Sequence, residues 1–319
     1  MLYSIIVPVY NRPDEIRELL ESLTKQTVKR FEVLIIDDGS EKRCEQVVQN
    51  FSGKLDVRYY YKENSGQGFS RNFGFERAKG DYFVVFDSDC LIPPRYFETV
   101  SEFLKKNPVD CWGGPDRAHH TFSPIQKAIN FSMTSFLTTG GTRGKKRRVG
   151  VFHPRSFNMG ISREVFEKTG GYRITHMGED LEFSIRIIKH GFKTALIEDA
   201  FVYHKRRTDL KQFFWQLHFF GRARINIKRF HPDELKPVHL FPALFFLGLI
   251  ASILFLLLQI PVLKYFFLIY LLYTATLFIV VLMKEKDIKI AFLGVLASFT
   301  QLIAYAIGFI TEMMKELKV

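Results

Sequence analysis

The stretch VVFDSDC, residues 84–90, runs an apolar, strand-like segment straight into two carboxylates, Asp87 and Asp89, one residue apart. Carboxylates this close repel each other, and one resists ionising unless positive charge stands beside them. A divalent cation shared with phosphate oxygens meets that need, because hard cations take oxygen ligands. A plain turn or helix cap also uses such residues, so the surroundings have to decide.

Those surroundings alternate. Upstream, SIIVPV (Ser4–Val9) reads as a short buried strand, and Asp14–Lys25 as a helix with Ile16, Leu19, Leu20 and Leu23 on one face. Asn11 and Pro13 are its start signals. FEVLIID (Phe31–Asp37) is a second buried strand closed by Asp38-Gly39-Ser40, and VRYYY (Val57–Tyr61) a third. Gly68–Ala78 reads as a helix and Asp81–Asp87 as a fourth strand. Strands alternating with helices predict a mostly parallel sheet covered on both faces. Ligands of such sheets bind at the carboxyl ends of the strands, where Asn11, Asp38 and Asp87 all fall. Further along, residues 110–157 are less regular, and Gly140–Gly150 (GGTRGKKRRVG) is a glycine-rich basic loop, either a solvated turn or a phosphate-facing lid. Glu179–Gly191 reads as a helix and Lys193–His204 as strand-like.

The composition changes after about residue 236. Leu240–Ile260, Tyr265–Met283 and Ile290–Thr311 are apolar blocks of 21, 19 and 22 residues without a charged residue, and a bilayer core takes roughly 20. These spans, about 240–260, 265–283 and 290–311, carry no ionisable residue to mark an ion path, which argues against a channel. The net charge is +12, and Lys205–Lys236 holds nine basic and three acidic residues, half of that total. Basic residues beside a span favour the cytoplasmic side and anionic head groups; without a nucleic-acid motif, nucleic acid is excluded as the partner. Between Asp209 and Ile227, Leu210, Phe213, Phe214, Leu217 and Phe220 share a helical face, which suits a helix in the membrane interface or a buried amphipathic one. The N-terminus has no basic leader before its apolar run, so the first 236 residues are expected in the cytosol and the protein in the cytoplasmic (inner) membrane. Three spans then leave residue 319 on the far side. Cys44, Cys90 and Cys111 are odd in number and widely spaced, fitting reduced thiols.

Taken in order, SIIVPVYNR (4–12), VLIIDDGS (33–40), NSGQGFSRNFGFERAKGDYFVVFDSD (64–89), FNMGISREVFEKTGGY (157–172) and GEDLEFSIRIIKHG (178–191) resemble family 2 glycosyltransferases of the GT-A fold. The resemblance implies an α/β, Rossmann-like nucleotide-sugar-binding domain over residues 1–207. After it come an amphipathic interfacial helix and linker (208–238) and a transmembrane domain (239–319). It implies an inverting transfer from a nucleotide-sugar, by family frequency a UDP-sugar, with Mn²⁺ or Mg²⁺. Pro8, Tyr10 and Asn11 would line the nucleoside pocket and Asp38 would bond the base. Arg71 would sit beside the nucleotide or its phosphates. Asp87, Ser88 and Asp89 would be the D-x-D that meets the nucleotide-sugar. Asp87, Asp89 and His204 would form the metal shell, with a structural role for His204 left open. Asp180 would be the base. The comparable region of processive synthases carries Q-x-x-R-W; here it reads QLHFFGRAR (216–224). That departure favours transfer of one or a few sugars, with Arg222 and Arg224 facing a diphosphate or lipid head groups. The expected acceptor is a hydroxyl of a lipid or lipid-linked molecule. Polyprenyl phosphate is the alternative, and a catalytically idle nucleotide-sugar-binding membrane partner a further one.

Overall fold

The buried run at the N-terminus forms the middle of a seven-stranded sheet in the computed structural model, which describes residues 1–119, 121–140 and 152–317. Among the described residues the strands are β1 (Tyr3–Val9), β2 (Phe31–Asp38), β3 (Val57–Lys62), β4 (Tyr82–Phe86), β5 (Cys90–Leu91), β6 (Cys111–Gly113), β7 (Asp116–Arg117), β8 (Asn158–Ser162), β9 (Thr194–Leu196) and β10 (Val202–His204). Large-sheet order is β3-β2-β1-β4-β8-β6-β9. All neighbours are parallel except β8, which runs antiparallel to both β4 and β6. Side chains alternate across the sheet. Ile5, Val7, Val33 and Ile35 enter one core with α1 (Pro13–Thr24) and α4 (Tyr96–Lys106). Ile6, Leu34 and Ile36 enter the other with α3 (Gln67–Arg77), α7 (Arg163–Thr169) and α8 (Glu179–Lys189). The short α2 (Glu45–Gln49) joins the first core. This is the mostly parallel, GT-A-like sheet expected, with helices on both faces.

One expected strand divides. Lys193–His204 becomes β9 and β10, because the chain turns at Ile197–Ala200, where the Ala200 N–H donates to the Ile197 carbonyl. β9 finishes the large sheet, while β10 lies between β5 and β7 in a three-stranded one. His204 pairs in register with Cys90, which brings it beside the end of the DSD turn.

Described residues 1–119 and 152–205 form one compact unit, and 121–140 with 206–317 a second. The second contains α5 (Pro124–Thr134), α6 (Phe136–Thr139), α9 (Leu210–Phe230), α10 (Phe241–Leu257), α11 (Phe267–Glu285) and α12 (Ile288–Glu316). Of the basic loop, residues 141–150 lie outside the described residues. Ser123 and Gln126 make a capping box at the start of α5. Within this unit Phe213 and Leu217 of α9 are buried with Ile129 and Phe131 of α5 and Ala297 and Ala304 of α12. That face of α9 is therefore packed against protein, while Trp215 and Phe219 stay exposed.

Alongside each other, α9 and α12 run in the same direction. A Cβ at Gly221 would strike the Tyr305 carbonyl, and one at Gly308 the His218 carbonyl. At their far ends Arg222 Nε donates to Glu312 Oε2 at 2.9 Å, Arg229 to Glu312 Oε1 at 3.1 Å, and Lys228 lies 3.2 Å from Glu316. Near the other end of α12, Lys284 sits over the Phe131 ring of α5 at 5.5 Å, and Ser132 bonds Gln301 at 2.9 Å. Pro237–Leu257, Leu263–Glu285 and Ile288–Glu316 are each long and apolar enough to cross a membrane. They differ in shelter: half of the apolar window of the third is buried, against 11% of each of the others.

Candidate active site

Asp87 leaves β4 and turns onto Arg71 of α3, whose Nη2 lies 2.9 Å from Asp87 Oδ1. On its other side Arg71 Nη1 lies 3.3 Å from Glu179 Oε1 at the start of α8, and Gln67 also donates to Glu179. Asp89 takes a different cation: Arg12 Nη1 stands 3.3 Å from its Oδ2, and His204 Nε2 stands 3.0 Å from its Oδ1. The two like charges of the DSD turn are thus tolerated because each has its own arginine. Arg12 also bonds Glu15 at 3.0 Å, and Ser88, buried between the two aspartates, approaches Glu15 at 3.4 Å. Ligand atoms of Asp89, Cys90 and His204 all lie within 4.8 Å of one another. Burial holds the Cys90 thiol well above its ordinary range, which leaves Asp89 and His204 as the donors suited to a hard cation. An oxygen and an imidazole nitrogen beside the carboxyl end of a parallel strand fit Mn²⁺ or Mg²⁺. His204 also stacks on Phe157, with centroids 5.1 Å apart.

The left-handed residues Met177 (φ 59°) and Gly178 (φ 98°) turn the chain into α8, so that Glu179 points inward and Asp180 outward. The Asp180 carboxylate is 22% exposed and faces Arg155, whose Nη1 lies 3.4 Å from both of its oxygens. Burial and the neighbouring Asp180 charge push the Glu179 carboxyl up, against the pull of Arg71.

The proposed nucleoside residues gather at the ends of β1 and β2. Tyr10 is half exposed. Asn11 is left-handed at φ 57° and ties the two turns together: its N–H donates to Ser40 Oγ at 2.8 Å, and its Oδ1 accepts from Lys42 N–H at 2.9 Å. Pro8 precedes them in β1. Asp38 is 4% exposed and accepts from the N–H groups of Ser65 and Gly66 at 2.9 and 2.8 Å and from Lys62 Nζ at 2.5 Å. Its carboxylate closes the 62–66 turn from beneath. Burial would raise its pKa, but the bonds from Lys62, Ser65 and Ser70 prevail and hold it below the ordinary value. A depressed carboxyl stabilises the fold fully above its unfolded pKa and loses that contribution as pH falls through the folded one. The stability difference between wild type and Asp38→Asn is therefore expected to be constant near neutrality and to shrink below about pH 4. Chemical denaturation at a series of pH values measures this, and a difference unchanged in acid would refute it.

Of the remaining predicted residues, Arg222 is engaged by Glu312 in the second unit, where Arg224 lies partly buried on the same helix. Sequence reasoning missed Arg12 and Arg155. Arg12 lies three residues past the end of β1, at the N-cap of α1, and that place near a strand end was the signal available.

The fold is that of a GT-A-like glycosyltransferase, and the chain belongs to glycosyl transferase family 2, whose sequence model matches residues 4–170. An uncharacterized glycosyltransferase of Haemophilus influenzae is 42% identical over 107 residues, 34% of this chain and 36% of that protein. One from Rickettsia typhi is 37% identical over 105 residues, 33% and 32% of the two chains. The chondroitin synthase of Escherichia coli is 26% identical over 235 residues, 63% of this chain and 34% of that one. The chain thus spans about a third of the length of these curated relatives. Among solved structures, the mannosyltransferase PcManGT of Pyrobaculum calidifontis, in complex with GDP-Man and Mn²⁺, has a TM-score of 0.63 at 14% identity. It covers 98% of this chain and 87% of its own. At these identities the likeness is one of fold.

Proposed function

We propose that this glycosyltransferase moves a sugar from a nucleotide-sugar, with inversion, onto a hydroxyl of a lipid or lipid-linked acceptor at the cytosolic membrane face. The observation that carries the reading is the Asp87–Arg71–Glu179 chain, which links the donor carboxylates of the DSD turn to the turn bearing Asp180. Pro8, Tyr10, Asn11 and Asp38 frame the nucleoside, and Asp87, Ser88 and Asp89 meet the sugar diphosphate. Asp89 and His204 hold Mn²⁺ or Mg²⁺, which when bound supplies charge neutralisation for the departing diphosphate. Asp180 accepts the proton of the acceptor hydroxyl as it attacks, since a neutral hydroxyl is a weak nucleophile. The nucleotide-sugar named with the solved neighbour PcManGT, GDP-Man, supports this donor class. A donor screen with a membrane lipid extract as acceptor, read by mass spectrometry, tests it; no sugar-bearing product from any UDP- or GDP-sugar would sink it.

Transfer to polyprenyl phosphate is the second reading, and Arg155 favours it, because a partly exposed guanidinium beside Asp180 suits an anionic acceptor.

For the membrane, we infer that α10 and α11 form the inserted hairpin and that α12 does not cross. The residues just before α12 meet α5, and the last turns of α12 are ion-paired to the basic end of α9. Five basic side chains, Lys211, Arg222, Arg224, Lys228 and Arg229, keep α9 out of the hydrocarbon core. The exposed Met314 therefore faces the cytosol. Met314→Cys is expected to react with a membrane-impermeant maleimide in inverted vesicles and not in intact cells; the opposite pattern would restore a third crossing.

A further inference from the structure

We propose that Arg12 is a counter-charge set against Asp89, so that the metal site takes a divalent cation strongly only together with a nucleoside diphosphate. The inference rests on the reading of Asp89 and His204 as the metal donors. Arg12 Nη1 lies 3.3 Å from Asp89 Oδ2, and His204 Nε2 lies 3.0 Å from Oδ1 of the same side chain. A cation held by Asp89 and His204 therefore shares one carboxylate with a guanidinium. An arginine keeps its charge at any working pH, so Arg12 does not clear the way by losing a proton. Glu15, 3.0 Å away on α1, keeps the guanidinium in place.

The helix itself gives no reason for an arginine here. Arg12 occupies the N-cap of α1 and makes no side-chain cap bond. Ser, Thr, Asp and Asn are preferred at that position because they accept from the first free N–H groups. A cation there also opposes the helix dipole. The side chain is 38% exposed, and ion pairs that open to water add little to stability. What Arg12 does supply is a fixed positive charge on the metal carboxylate. A bare divalent ion arriving at Asp89 meets repulsion from it. A nucleoside diphosphate carries the opposite sign: its oxygens ligate the metal while its charge offsets the guanidinium. Metal and nucleotide then strengthen each other's binding, and that coupling is reciprocal.

Calorimetry on the full chain in detergent tests this without turnover. Mn²⁺ is titrated alone and at saturating UDP, or GDP where the wild type binds only that nucleotide, into wild type, Arg12→Gln and Arg12→Lys. Thermal melting checks that each variant folds. Arg12→Gln is expected to bind Mn²⁺ alone roughly tenfold more tightly than wild type, and to bind the nucleotide at saturating Mn²⁺ more weakly. Arg12→Lys keeps the charge and should stay within about threefold of wild type in both titrations. Failure of Arg12→Gln to gain affinity for Mn²⁺ alone, undetectable binding in both proteins included, overturns the proposal. So does an Arg12→Lys variant that behaves like Arg12→Gln. If Arg12→Gln does not fold, Glu15→Gln decides: Arg12 is then left to Asp89, Mn²⁺ alone should bind more weakly, and a Kd that does not rise sinks the inference. Failure of the metal reading shows separately, as Mn²⁺ binding at saturating nucleotide that survives both Asp89→Ala and His204→Ala.

Discussion

Asp89→Ala should lose Mn²⁺-dependent nucleotide binding and turnover together while melting close to wild type. Asp89 is the carboxylate on which three elements converge: Arg12 after β1, the DSD turn itself, and His204 of β10. Its removal leaves Arg12 its bond to Glu15. Arg12 is also partly exposed, and ion pairs of that kind contribute only ~0–1 kcal/mol, so the fold should stand. Metal-derived stabilisation of a leaving diphosphate is several kcal/mol, so the loss in rate should reach ~10³-fold or more. Calorimetry of Mn²⁺ with UDP, and turnover in parallel, measure both; near-normal activity of Asp89→Ala in EDTA would refute the account. His204→Ala separates the two roles left open for that residue. Weaker Mn²⁺ binding makes it a ligand, whereas unchanged binding with a lower melting temperature leaves it a ring stacked on Phe157.

The parts of the fold legible in the sequence are those where one segment fills both faces of the sheet. SIIVPV and FEVLIID are unbroken apolar runs because alternate residues enter opposite cores, and an unbroken run is what a doubly covered parallel strand requires. β6 and β8 were not legible, being three and five residues long. β8 also contains Gly160, where any Cβ would collide with Trp112. That glycine serves packing and carries no strand signal. Likewise nothing in LIEDAF announces that the chain changes sheets there.

At the site, the residue types were legible and their partners were not. DSD, ED and SRN announce themselves, but the pairing of Asp87 with Arg71 and of Asp89 with Arg12 depends on how α3 and β1 are laid beside β4. The basic run of α9 shows the same limit. Arginines before an apolar block read equally well as head-group contacts or as partners for acids in the chain. Glu312 and Glu316 lie beyond the third block, 83 to 90 residues from their partners Arg222, Lys228 and Arg229, and only the packed structure puts them on α9. The three apolar blocks themselves were legible and correspond, among the described residues, to the three helices long and apolar enough to cross a membrane.

Asp180→Asn should fold, bind nucleotide and Mn²⁺ like wild type, and be nearly inactive toward a hydroxyl acceptor. The substitution is mild for the structure. Asp180 is partly exposed, Gly178 rather than Asp180 occupies the cap position, and the contact of Asp180 Oδ1 with the Leu181 N–H at 2.7 Å is one an amide oxygen can keep. Arg155 loses its charged partner, but a partly exposed ion pair is a small contribution. What the amide does not do is accept a proton, and loss of a general base costs on the order of 10²–10⁴ in rate. The acceptor decides whether that cost appears. A sugar or lipid hydroxyl must shed its proton as it attacks, whereas a lipid phosphate is already anionic and needs no base. The same variant therefore sorts the two readings. With a hydroxyl acceptor kcat collapses at unchanged nucleotide Kd. With polyprenyl phosphate Asp180→Asn keeps its rate, and Arg155→Ala loses acceptor affinity instead. Robust turnover by Asp180→Asn on the wild-type lipid acceptor would remove Asp180 as the base and move the functional weight of this site to Arg155.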